Sequence, residues 1–113
     1  MWLFTETGFV SAVRPSAGSD LLRVRARDAK SLEPMVDMFN VAISKSPHRD
    51  YPYRVELTTA QLIEFVAAST ATMDYTNFKS QVYRTRGADF AHALHDVWEA
   101  MHQVEDADAR TEI

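Results

Sequence analysis

The sequence predicts an α+β fold: a mostly antiparallel sheet from N-terminal strands, helices packed on one face of it, and three helices in the C-terminal half. Two patterns carry this. Leu22, Val24 and Ala26 alternate with Arg23, Arg25 and Arg27, and Tyr53, Val55 and Leu57 alternate with Arg54 and Glu56, a period of two that marks half-buried strands. Beyond residue 58 the apolar residues recur at intervals of three and four, as on one face of a helix. Strands first and helices after favour α+β over an alternating, doubly wound sheet. A length of 113 residues, 46% of them hydrophobic and 25% charged, suits one globular domain with an unaided core. That domain is expected over residues 1–104, followed by an acidic, frayed tail at 105–113.

Taken in order, Trp2 to Phe4 and Phe9 to Arg14 read as a hairpin around Thr5-Glu6-Thr7-Gly8, with Gly8 free to take a positive φ. Pro15 to Asp20 is a turn, and the arginine-bearing strand follows it. A short helix comes next, capped by Ser31, with Pro34 in its first turn and an apolar stripe of Leu32, Met35, Val36 and Phe39. Val41 to Ser44 reads as a brief strand. Tyr51-Pro52-Tyr53 opens the next one, the proline restricting Tyr51 to extended conformations. Thr58 and Gln61 have the spacing of a capping box, ahead of a stripe of Leu62, Ile63, Val66 and Met73. Asp74 is expected to cap a helix bearing Tyr75, Phe78 and Val82, which Gly87 ends. The last helix, residues 89–104, gathers Phe90, Leu94, Val97, Trp98 and Met101 on one buried face.

Composition narrows the classes. The absence of cysteine excludes disulfides and thiolate metal sites. The N-terminus lacks the basic start of a secretory signal, and no apolar run approaches a membrane span, so a cytoplasmic protein with no membrane partner is expected. The net charge of −4 is divided unevenly: residues 1–54 carry +2 and residues 55–113 carry −6. The strand half is mildly basic, the helical half acidic.

Three groups of residues stand out. Arg23, Arg25 and Arg27 share one strand face, with Arg54 of like polarity elsewhere; with Trp2, Phe4 and Phe9 they are of the kind that holds single-stranded nucleic acid. A half-solvated antiparallel sheet shows the same alternation without any ligand. Lys79, Tyr83 and Arg86 share a helix face near Asn77, suited to a phosphate or an acidic partner surface, although basic residues near a helix C-terminus also answer its dipole. His92, His95, Glu99 and His102 form a stripe on the last helix. Because one helix alone supplies them, no metal site and no cofactor are expected. No nucleophile elbow, glycine-rich phosphate loop or metalloprotease pattern is present, so no catalytic residue is assigned.

Asp50-Tyr51-Pro52-Tyr53-Arg54-Val55, Asp74-Tyr75-Thr76-Asn77-Phe78-Lys79-Ser80 and His92-Ala93-Leu94-His95-Asp96-Val97-Trp98, with Trp2-Leu3-Phe4 and Gly8-Phe9, give the chain its most distinctive stretches. In these it resembles a family of small uncharacterised proteins from actinobacteria and their phages, over residues 1 to about 104. The resemblance implies no enzymatic activity and favours binding over catalysis. The leading expectation is a non-enzymatic interaction protein whose partner is another protein of the host or phage. The alternative is a nucleic-acid-binding domain using the arginine-bearing sheet face. Binding residues are expected among Arg23, Arg25, Arg27, Asn77, Lys79, Tyr83, Arg86 and His95.

Overall fold

The computed structural model describes residues 1–105, so the expected frayed tail lies, apart from Glu105, outside the described residues. The fold is α+β. Five strands, β1 (Trp2–Thr5), β2 (Gly8–Val13), β3 (Leu21–Ala26), β4 (Ser44–Lys45) and β5 (Tyr53–Thr58), form one antiparallel sheet in the order β1-β2-β3-β5-β4. Four helices accompany it: α1 (Glu33–Phe39), α2 (Thr59–Ala71), α3 (Phe78–Arg86) and α4 (Ala88–Met101). Met1–Tyr75 is one compact unit, and the chain from Thr76 onward is a second. Among the described residues no helix is long and apolar enough to cross a membrane.

In the first unit, register turns alternation into two chemically distinct faces. Ala12, Val24 and Val55 lie opposite one another across β2, β3 and β5, and all three are buried. With Val10, Ala26 and Leu57 they meet Leu32 and Met35 from the α1 region and Leu62 and Phe65 from α2. Helices therefore cover this inner face, as the alternation requires. Hydrophobic burial here is the main favourable term of the fold; truncating Leu57, which is fully buried, removes about 2–5 kcal/mol.

Local chemistry sets the ends of α2 as the sequence indicates. Thr58 Oγ1 accepts from the Gln61 amide at 3.1 Å, and Gln61 Oε1 accepts from the Thr58 amide at 2.9 Å. Both members of the capping box are formed. The buried residues of α2 are Leu62 and Phe65, however, whereas Ile63, Val66 and Met73 are exposed. The helix is turned so that Phe65, not Ile63, meets the sheet.

Other local expectations are corrected. Ser31 does not cap α1: it sits buried in a 3-10 turn (Lys30–Leu32), gives its hydroxyl proton to Asp28 at 2.6 Å and accepts from the Phe9 amide. Asp28 also accepts from the Ser31 amide at 3.1 Å, while Ala29, which begins the turn, makes no side-chain cap. The strand expected at Val41–Ser44 shrinks to Ser44–Lys45, because Val41 and Ile43 turn into the core from backbone that has no ladder partner. Tyr51 takes a left-handed conformation, φ 52°, where an extended one is expected.

In the second unit Asn77, not Asp74, caps α3; its Oδ1 accepts from the Ser80 amide at 2.9 Å from an extended backbone. Gly87, φ 88°, joins α3 directly to α4, donating to the Tyr83 carbonyl while its own carbonyl accepts from Ala91. That joint needs glycine because an L side chain is strained at this φ. Ala91 and Leu94 are the buried residues of α4; Val97, Trp98 and Met101 are exposed, so the expected buried face is shorter than its apolar stripe.

Candidate nucleic-acid interface

The outer face of the sheet is built by the residues that alternate with the core. One row crosses the whole sheet: Trp2 lies opposite Ser11, Ser11 opposite Arg25, Arg25 opposite Arg54, and Arg54 opposite Ser44. The neighbouring row pairs Arg23 with Glu56, and Phe4 with Phe9 lies on the other side. Period two thus puts the aromatic rings of β1 and β2 and the arginines of β3 and β5 on one surface.

The aromatic part is a connected cluster. Phe4 stacks on Phe9 at 4.5 Å between ring centroids, and Trp2 meets the Phe9 ring edge-on at 5.5 Å. The Tyr51 ring lies tilted 6.2 Å from that of Phe9. Trp2 is 64% exposed, so its indole offers most of its surface to water.

The cationic part surrounds Tyr51. The guanidinium groups of Arg25 and Arg27 lie 4.7 and 4.3 Å from its ring centroid, which places a buried ring against two cations. Arg54 donates to the carbonyl oxygens of Tyr51 and Asp50, both at 3.3 Å. These contacts hold Tyr51 in a backbone region that costs a non-glycine residue of order 1–3 kcal/mol. Arg25 donates to Ser11 Oγ at 2.8 Å, while its buried Nε has no hydrogen-bond partner among the described residues.

Charge on this face is only partly answered. Arg23 approaches Glu56 at 3.7 Å, and Arg27 pairs with Asp50. Arg54 is pushed below the usual guanidinium range, first by burial and then by repulsion from Arg23, Arg49 and Arg25, with Asp50 acting the other way. A guanidinium stays charged regardless, so burial and the neighbouring arginines disfavour a charge that is nonetheless kept.

Arg23, Arg25 and Arg27 thus share one surface with the rings, as their spacing suggests. The other candidates lie in the second unit and fall into different roles. Lys79, Tyr83 and His95 line one shallow cleft between α3 and α4. Asn77 is the cap of α3, and Arg86 lies over the Phe90 ring at 4.2 Å. The histidine stripe pairs within its own helix and turn, His95 with Glu99 at 3.9 Å and His102 with Glu105 at 2.8 Å. Among the described residues no group of three His, Asp or Glu is placed to hold a metal ion.

Sequence reasoning missed Tyr51 as a member of the sheet site. An aromatic residue between an acid and a proline, two residues before an arginine-bearing strand, is the signal that pointed there. Comparison with known proteins finds no matching family model, no matching curated protein and no matching solved structure.

Proposed function

We propose that the outer sheet face binds single-stranded nucleic acid. The observation that supports this reading best is the placement of Arg23, Arg25 and Arg54 on one sheet face, with Arg25 directly opposite Arg54 and an exposed tryptophan in the same row. Cations that repel one another gain when a polyanion enters among them, and each phosphate they neutralise releases counterions. Trp2 supplies a π-face for a base, and base–aromatic stacking tolerates any sequence. Phosphates track the arginines of β3 and β5 while bases lie toward β1. No covalent step is involved; the function is binding.

Fluorescence anisotropy with labelled single-stranded oligonucleotides across a salt series tests this. Binding should be micromolar at moderate salt and weaken steeply as salt rises. Arg23→Gln combined with Arg25→Gln should weaken it and reduce the salt slope by about two. Trp2→Ala should lose roughly 1–3 kcal/mol with little change in slope, since it removes stacking and no charge. Salt-independent binding, or none, would reject the reading.

A second reading, a protein partner, rests on the edge strand. Met1 and Ala12 exchange both backbone hydrogen bonds at 2.8 Å, so the antiparallel ladder points the N–H and C=O groups of Trp2 and Phe4 away from β2. Beside that edge runs an apolar groove of ≈ 370 Å³ lined by Leu3, Met38, Phe65, Val66 and Met73 among others. An extended segment adding to β1 would satisfy both. The double arginine variant leaves this mode intact, because neither arginine lies on β1, and so separates the two readings.

A further inference from the structure

The second unit carries a cluster that the sheet site does not use. Asn77 starts α3 and Gly87 turns the chain back into α4, so Lys79, Ser80 and Tyr83 of one helix face Ala91, His92 and His95 of the other. The cleft between them measures ≈ 340 Å³. Its polar side chains are an ammonium, two hydroxyls and two imidazoles, and among the described residues no carboxylate lines it.

Lys79 is held at its mouth. Its Nζ lies 3.2 Å from His95 Nδ1 and 4.1 Å from the centroid of the Trp98 ring. An ammonium has only protons to offer, so His95 Nδ1 is the acceptor and the ring proton sits on Nε2, the nitrogen facing Glu99 at 3.9 Å. The ring of Trp98 stacks on His95 at 5.3 Å and meets His102 edge-on at 4.6 Å, which fixes the imidazole from behind. One lysine that lines the cleft is thus positioned by an imidazole and an aromatic face, and two hydroxyl side chains line the same cleft.

We propose that the α3–α4 cleft binds a phosphate group, held by Lys79, Ser80, Tyr83 and His92, with His95 positioning Lys79. A tetrahedral dianion accepts from several donors at once, and among the described residues this lining is rich in donors and holds no carboxylate. Lys79 supplies the charge, the Ser80 and Tyr83 hydroxyls and the His92 imidazole donate, and His95 holds Lys79 in place through Nδ1. Free phosphate and a small phosphate monoester share this chemistry. Tyr83, 59% exposed, offers a ring face to the organic part of a monoester. The site lies wholly in the second unit and is independent of the sheet reading.

Histidine ring resonances of the intact protein, followed by NMR during titration with inorganic phosphate and separately with phenyl phosphate, test this. Sodium chloride at matched ionic strength is the control. His92 and His95 should shift saturably with either phosphate while His48, in the first unit, stays unmoved. Tighter binding of phenyl phosphate assigns a monoester, and equal affinity assigns free phosphate. Lys79→Gln should weaken binding about tenfold or more, the scale of one lost charge-assisted hydrogen bond. Tyr83→Phe, which removes a single hydroxyl, should weaken it a few-fold and serves if Lys79→Gln loosens the helix pair. Arg84→Gln, outside the cleft, should change nothing. No saturable shift up to roughly 20 mM, weaker than any specific contact set would give, overturns the proposal; so does a shift that sodium chloride reproduces.

Discussion

Tyr51 and Trp98 show how little residue type alone says about role. Both are aromatic and both lie beside cations, but Tyr51 is 6% exposed and Trp98 is 50% exposed. Tyr51 is wedged among Phe9, Arg25 and Arg27, with its backbone carbonyl gripped by Arg54. Trp98 lies against Lys79, His95 and His102, on a surface where the sequence pattern places core. Tyr51→Ala should therefore cost about 3 kcal/mol, the scale of a buried aromatic deletion, relieved in part because alanine frees the two guanidinium groups to re-solvate. Trp98→Ala should cost only about 1–2 kcal/mol, in proportion to the half of its surface that is covered. Urea titrations of the two variants under one set of conditions check the order; a larger loss at Trp98 would mean that its ring anchors the second unit.

At the scale of elements, ends are more legible than faces. The Thr58–Gln61 box is a short-range pattern, and the structure forms it in full because nothing distant is required. Thr58→Ala should destabilise the first unit by about 1 kcal/mol, measurable as a shifted urea midpoint with unchanged slope. A larger loss with a changed slope would mean that β5, which Thr58 also ends, had come apart. The cap of α3 was less legible. Asp74 and Asn77 are both good capping residues three positions apart, and only the extended backbone of Asn77 puts a side-chain oxygen within reach of a free amide. Likewise α2 carries apolar residues on more than one side, and periodicity alone does not choose between Ile63 and Phe65. Tertiary packing chooses, placing Phe65 and Leu62 in one buried cluster with Val55 and Leu57.

On the whole-molecule scale the described residues divide into two compact units. The ten buried residues of the principal core cluster, from Val10 to Phe65, all belong to Met1–Tyr75. A five-stranded sheet covered by helices on one face has what an independently folding domain requires. The fragment 1–75 should thus fold alone, with strand-rich circular dichroism and a single cooperative urea transition. It should also retain whatever oligonucleotide affinity the intact chain has, since every residue of the sheet site lies within it. A fragment without a cooperative transition would show that the first unit depends on the residues that follow. The charge asymmetry of the sequence does not follow this division, since residues 1–75 carry eight Lys/Arg and nine Asp/Glu; the arginine surface belongs to the first unit and the histidine–glutamate stripe to the second.

By itself the sequence determined the fold class, the inward and outward faces of β3 and β5, the capping box of α2 and the glycine joint at residue 87. These follow from interactions between residues a few positions apart, which alternation, capping chemistry and the φ freedom of glycine express directly. It also placed Arg23, Arg25 and Arg27 together, since residues two apart on a strand share a face. Tertiary structure decided the rest. Only strand order brings Trp2, Ser11, Arg25 and Arg54 into one row across residues 2 to 54, and only the arginines converging on Tyr51 hold its backbone left-handed against the preference set by Pro52. The α3–α4 turn likewise decides that Lys79 meets His95, sixteen residues away, while Asn77 and Arg86 of the same segment are drawn into capping and ring packing. Periodicity states which side of an element a residue occupies; which other element that side meets depends on chain-distant packing, and no local pattern encodes it.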